Sequence, residues 1–337
     1  DGAMALLDTL PETEEHRQRR ISLLVSQTEA FMLLFKTPEY YDLLIRYEPM
    51  ARGLGNPRLL GAFYGCLGNC HFFFCRYDKA IPILTKAVEL CQLAGNAEDA
   101  GNAYMSLSWS HSDRGDYERV LALKEDFLRT MGQRFDLRWY TYILSAASRA
   151  CSYLGRWDEA VEEGNKALSV AQECSDNSLI SFVAANLSIA YTWKGDLARA
   201  VEYAELAIQK APTPGNKAWA QRSLGWVWCR CGETTKGIEL LTSVLPLIRV
   251  GQSTTTEIPH MCFLGEGYWL AGQDNKARQT LDKGLEMAER HGTRYYVGFT
   301  HRLLGEIDLK INPTQAASHF EISIAIFREI KAENELA

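Results

Sequence analysis

The stretch Leu187-Ser188-Ile189-Ala190-Tyr191-Thr192-Trp193-Lys194-Gly195-Asp196-Leu197-Ala198-Arg199-Ala200 decides the fold, because its landmarks recur along the chain. A leucine followed by a small residue returns as Leu67-Gly68, Leu107-Ser108, Leu224-Gly225, Leu264-Gly265 and Leu304-Gly305, and Ala147-Ser148 fills the one gap. Seven residues after each small residue stands a turn position: Cys75, Gly115, Gly155, Gly195, Gly232, Gly272 and Asn312. Five further on stands Ala80, Val120, Ala160, Ala200, Gly237, Ala277 or Ala317. Successive units are 40 residues apart, except for a step of 37 between the fourth and the fifth. Landmarks that keep phase over seven copies define a tandem repeat.

Each landmark has a physical reason. Between the turns the apolar residues recur at three and four, as in Ile180, Val183, Leu187, Ala190 and Tyr191, which marks amphipathic helices. Glycine suits the left-handed residue that ends a first helix. Asp116, Asp158, Asp196 and Asp274 stand at or beside the start of the second helix, where a carboxylate caps free amides. A small residue in each helix lets the two backbones approach. The fold class expected is all-α: a right-handed α-solenoid of antiparallel helix pairs.

Leu-Gly, an aromatic three residues on (Tyr191, Trp228, Tyr268), a glycine turn, Tyr117, Trp157 or Leu197 two later and then alanine together resemble the tetratricopeptide repeat. That family's usual unit is about 34 residues, so the longer unit here implies longer helices. Stretched units of this kind resemble the sensor regions of LuxR-type and maltose-responsive activators and of bacterial adenylate/guanylate cyclases fused to an ATPase. The opening Ala5-Leu-Leu-Asp-Thr-Leu-Pro-Glu-Thr13 is most similar to the cyclase-linked type.

Seven units are expected at 56–95, 96–135, 136–175, 176–213, 214–252, 253–292 and 293–331. Residues 5–55 read as a degenerate N-terminal cap, with helices at Glu14–Lys36 and Pro38–Arg52 and Gln27-Thr28 where Leu-Gly would stand. Residues 332–337 read as a frayed tail. Residues 1–4, with Gly2-Ala3-Met4, resemble a cloning-vector remnant, so a longer natural protein is expected. Two joints are irregular: Pro212-Thr-Pro-Gly215, and Gly251–Thr256, after which Pro259 is expected in a first helical turn.

The 337 residues are 47% hydrophobic with a net charge of −6, a balance that lacks the basic stripe of a nucleic-acid surface. No uncharged apolar run is long enough to span a membrane, and no secretory signal opens the chain. The nine cysteines fall mostly in apolar helical runs without Cys-x-x-Cys spacing, so they read as reduced core residues of a cytoplasmic protein.

Chemistry is absent from the pattern. There is no phosphate-binding loop, so any ATPase lies outside this chain, and Gly265-Glu-Gly267 belongs to the repeat. Neither His-Glu-x-x-His nor Gly-x-Ser-x-Gly occurs. Cys70, His71 and Cys75 read as core among Phe72, Phe73 and Phe74, and His111 takes the same repeat position as His71. No enzyme, metal or cofactor is expected.

The resemblance implies a concave groove lined by the first helices, at three and six residues before the small residue and one, four and five after it. Those positions are Asn102, Met105 and Trp109; Tyr142, Arg149 and Tyr153; Phe182 and Trp193; Trp219, Arg222, Trp226 and Arg230; Glu266 and Trp269; and Arg302 and Glu306. Aromatics interleaved with arginine have the composition of a binding hot spot. A buried arginine requires an anion, so a ligand carboxylate or phosphate would answer Arg149, Arg222 and Arg302. The function expected is a protein- or peptide-binding scaffold, the regulatory part of a larger bacterial signalling protein, with a segment of that same protein one candidate partner. The alternatives are a small-molecule sensor and an oligomerisation module.

Overall fold

A computed structural model describes residues 9, 11–33, 36–131, 136–250 and 254–336. All regular structure among them is helical. Glu14–Ser26, Thr28–Leu33 and Thr37–Gly53 form the N-terminal cap. The expected first cap helix is therefore broken at Gln27, whose amide closes onto the Leu24 and Val25 carbonyls.

Seven antiparallel pairs follow among the described residues: Pro57–Phe73 with Tyr77–Leu93, Ala97–Arg114 with Tyr117–Met131, Leu137–Tyr153 with Trp157–Glu173, and Asn177–Lys194 with Leu197–Lys210. The remaining pairs are Pro214–Arg230 with Thr234–Val250, Thr254–Leu270 with Asp274–His291, and Arg294–Asp308 with Pro313–Glu329. In the four pairs whose small residue is glycine (Gly68, Gly225, Gly265 and Gly305), that residue receives a large side chain from the second helix. A Cβ built on Gly68 would fall 2.5 Å from Leu84 Cγ, and one on Gly265 would fall 2.5 Å from Leu281 Cδ2. The landmark is thus a hole for a knob, and filling it would part the pair.

Six of the seven turn positions have positive φ, including Cys75 at 53°, where no glycine relieves the strain. The seventh unit departs from this. Asn312 is extended at φ −145° and caps the next helix by accepting from the Gln315 amide. Its second helix is accordingly offset by one residue: Ala316 is buried and Ala317 is exposed. Pro259 also sits deeper than expected, inside the helix Thr254–Leu270 and past its first turn. Gly251–Ser253 of that joint lie outside the described residues.

An open solenoid keeps each unit in touch with its neighbours alone. Here the superhelix returns onto itself. The first helix of unit one touches that of unit six, and the first helix of unit two touches that of unit seven. Tyr153 stacks on Tyr295 at 3.8 Å between ring centroids, and its hydroxyl lies 3.3 Å from that of Tyr296. The chain end completes the closure. Ile330 seats on Gly115, where an added Cβ would come within 2.5 Å of it, and Glu333 lies against Gly155. The expectation of a frayed tail is corrected: Glu333–Glu335 form a short 3-10 turn, and the Glu335 side chain is 4% exposed. Arg302 lies 3.0 Å from that carboxylate, and the Tyr295 hydroxyl donates to it at 2.6 Å. No described helix is long and apolar enough to cross a membrane.

Candidate functional site

Closure divides the inner wall into a hollow part and a filled part. The hollow part is a cavity of about 550 Å³ between the first helices of units one to five. Unit one contributes Asn69, Phe72 and Phe73; unit two contributes Asn102, Met105, Trp109 and Asp113. Unit three adds Arg138, Trp139, Tyr142 and Arg149, and Phe182 and Trp219 come from units four and five. Thr28 of the cap, Pro212 and Thr213 of the short joint, and Thr255 close the rim. A helix start sets one of these rim groups: the Thr213 hydroxyl caps the Asn216 amide, with Pro214 following in the first turn.

Phe182 is the hub of the cavity's aromatic wall, 5.6 Å from Trp109, 5.0 Å from Tyr142 and 5.6 Å from Trp219 between ring centroids. Arg149 lies 4.3 Å over the Trp109 ring and donates to Asp113 at 2.6 Å and to Ser112 at 2.9 Å. Burial disfavours its charge, but Asp113 outweighs that and holds the guanidinium above its ordinary range. Trp109 donates its indole N–H to the Tyr142 carbonyl at 3.2 Å. Among the described residues the buried indole nitrogens of Trp139 and Trp219 have no acceptor, and the buried Asn69 carbonyl oxygen has no donor. Asn102 is half-buried at the wall, and its amide is unpaired among the described residues.

Seven of the expected groove residues therefore meet at this cavity: Asn102, Met105, Trp109, Tyr142, Arg149, Phe182 and Trp219. The other nine do not line it. Trp226 is fully buried, stacked 4.2 Å from Phe263, and donates to Glu266 at 2.5 Å. Arg230 donates to the same carboxylate at 2.8 Å and lies 4.7 Å over Trp193. Trp193 packs 5.2 Å from Trp226 and 6.1 Å from Tyr295. Tyr153 joins this cluster through Tyr295, Trp269 packs half-buried against the core, and Arg302 is engaged by Glu335.

Their burial has one cause. Unit seven brings Tyr295, Tyr296 and Phe299 into the superhelix, and these rings occupy the space that an open groove would leave. Arg222 stands between the two parts. It is 3% exposed, lies 4.2 Å over Trp219 and reaches the Thr256 carbonyl at 3.4 Å. Burial lowers its pKa to about 10.

Asn69, Phe72 and Phe73 were within reach of sequence reasoning. They stand one, four and five residues after Gly68, the same groove positions carried onto the first unit. Trp139 and the joint residues had no such signal, since they lie outside the repeating positions. His71 is buried beside Tyr41, and burial lowers its pKa to about 4. Among the described residues no group of three or more His, Cys, Asp or Glu side chains is placed to hold a metal.

Comparison with known proteins agrees with this architecture. A Rap protein complexed with Competence and Sporulation Factor is 15% identical and superposes over 97% of this chain and 90% of its own, with a TM-score of 0.75. The Rap conjugation gene regulator of the plasmid pLS20, in complex with the Phr* peptide, is 13% identical over 92% and 96%, with a TM-score of 0.65. A signal transduction ATPase with numerous domains and a tetratricopeptide repeat sensor, from Pyrococcus horikoshii, is 15% identical. It covers 97% of this chain, which spans 52% of that protein, with a TM-score of 0.56. No curated protein matches. Residues 59–131 match the tetratricopeptide repeat family, and the chain as a whole folds as a tetratricopeptide-like solenoid.

Proposed function

We propose that this chain is a non-catalytic scaffold whose cavity receives a short protein segment. The observation that carries the reading is the chemistry of the wall. Rings from units one to five offer apolar contact, and the half-buried Asn102 side chain at the wall offers an amide donor and a carbonyl acceptor together. A peptide group supplies a carbonyl acceptor and an N–H donor side by side, the complement of such an amide. That one whole-length structural neighbour is a complex with the Phr* peptide is consistent with this occupant.

The setting we infer is the cytoplasmic regulatory part of a larger bacterial signalling protein, with the segment drawn from that protein or a partner. Its support is the cyclase-like opening sequence and the likeness to a repeat sensor carried by a signalling ATPase.

A metabolite is the second reading. A cavity of about 550 Å³ lies within the range of roughly 300–1,000 Å³ that suits a small ligand.

Selection of displayed random heptapeptides on the purified chain tests the first reading. Binders are expected, and Trp219→Ala should weaken the best of them by about 2 kcal/mol, the scale of an aromatic hot spot. Peptides that bind Trp219→Ala and wild type equally would move the site elsewhere. A selection that yields no binder, while a metabolite library stabilises the fold, would favour the second reading.

A further inference from the structure

Four arginines project from the first helices at the inner positions, and the fold treats one of them differently. Arg149 has Asp113 at 2.6 Å, Arg230 has Glu266 at 2.8 Å, and Arg302 has Glu335 at 3.0 Å. Arg222 is as deeply placed as any of these, yet no described carboxylate lies within ion-pair reach of it. Among the described residues its buried Nε has no acceptor, and its one hydrogen bond is a long contact to the Thr256 carbonyl at 3.4 Å. Burial is what opposes its charge most; the Tyr296 and Tyr153 hydroxyls favour that charge and Arg149 repels it.

A buried guanidinium without a counter-ion is costly, and where packing alone is needed an apolar side chain of similar volume serves better. The position is also tied to the cavity. The guanidinium covers the Trp219 ring, and Trp219, Arg149 and Thr255 all line the hollow part of the wall.

We propose that Arg222 is the receptor for a carboxylate carried by the bound segment, at the Trp219 side of the cavity. The inference rests on the peptide reading and adds the ligand's charge and where that charge is received. Asp113 neutralises one of the two neighbouring guanidinium groups, Arg149 and Arg222, so the pair keeps one positive charge that an Asp, a Glu or a C-terminal carboxylate would cancel. Planar guanidinium and carboxylate groups match in a two-pronged hydrogen bond, which makes arginine the side chain suited to this task.

The experiment repeats the heptapeptide selection on wild type, Arg222→Met and Arg222→Lys, each checked for native helicity. Binders of wild type should be enriched in an acidic residue at one position, and an acid-to-amide change there should weaken binding at least about tenfold. Against Arg222→Met that enrichment should vanish; against Arg222→Lys it should persist with weaker binding. Wild-type binders without acidic enrichment would overturn the proposal and leave the peptide reading standing.

If no peptide binds, the peptide reading falls, and titration with free succinate decides the remainder. A rise in melting temperature for wild type and not for Arg222→Met would keep the carboxylate receptor for a small ligand. No rise in either would overturn it.

Discussion

Units two and three and units five and six build the same joint with the charges reversed. In the first, Asp113, five residues after its small residue, holds Arg149, one after the next. In the second, Arg230 and Glu266 occupy those two positions. Trp109 and Trp226 are likewise register equivalents, yet Trp109 faces the cavity while Trp226 is sealed under Phe263. The repeat therefore fixes which residues face inward and leaves their use to what lies across the axis. Opposite Trp226 stand rings brought back by unit seven, and opposite Trp109 lies space.

The strongest way to break that comparison is to truncate one tryptophan in each part and weigh the losses. Trp226→Ala should cost about 3–5 kcal/mol in chemical denaturation, the range for emptying a sealed aromatic site. Trp219→Ala, half-buried at the cavity, should cost no more than about half as much, its main effect falling on ligand binding. Equal losses would mean that the hollow part is as tightly built as the filled one.

Next in size comes the carboxylate of each joint. Glu266→Leu strips Trp226 and Arg230 of their acceptor and should cost about 3 kcal/mol, read as a lowered denaturation midpoint. Asp113→Leu should cost less, because Arg149 borders the cavity and can turn toward water.

Acid should then attack the two parts unequally. Burial lowers His260 to about 3 and His301 to about 4 in units six and seven, and His71 to about 4 in unit one. Depressed imidazoles protonate first in the unfolded chain, so stability present above pH ~6.5 is lost as pH falls toward the folded values. Melting temperature should drop between pH 6.5 and about 4, and His260→Leu should blunt that drop more than His71→Leu. An unchanged acid profile in His260→Leu would assign the acid sensitivity to other groups.

The smallest effect concerns the tail. Burial raises the pKa of Glu335 and outweighs the opposing pull of Arg302 and the Tyr295 hydroxyl. A raised carboxyl favours the docked tail below the ordinary glutamate range, and that advantage is lost as pH rises through its folded value. Glu335→Gln should leave amide-exchange protection of residues 330–336 unchanged or higher at neutral pH. Faster exchange there would show that the ion pair, and not burial, seats the tail.

The helix pairs were legible because their causes are local: glycine where φ must be positive, a hole at Gly68 for Leu84, a capping aspartate at Asp196. The seven cavity residues found from sequence follow from the same register. Closure was not legible from those rules, because it depends on twist accumulated over several units. One signal did exist. Residues 59–75 contain no Asp, Glu, Lys or Arg, and a helix apolar all round is enclosed on every side and does not border an open groove. Tyr295-Tyr296 and Phe299 in the last unit belong with that signal, since a terminal repeat facing water has little use for three buried rings. The lone Arg222 could be singled out in structure alone, because its distinction is the missing partner.

Contacts between Tyr153 and Tyr296 join residues 143 positions apart. Their consequence concerns how the molecule comes apart. A stack of units coupled to their neighbours can melt from an end, one unit after another. A stack whose last turn is fastened to its second and third units must release that fastening before the end can fray. Unfolding then becomes a cooperative event in which the C-terminal unit and the middle of the chain are lost together. Folding in turn must wait for a long loop to close, which is slow compared with pairing adjacent helices.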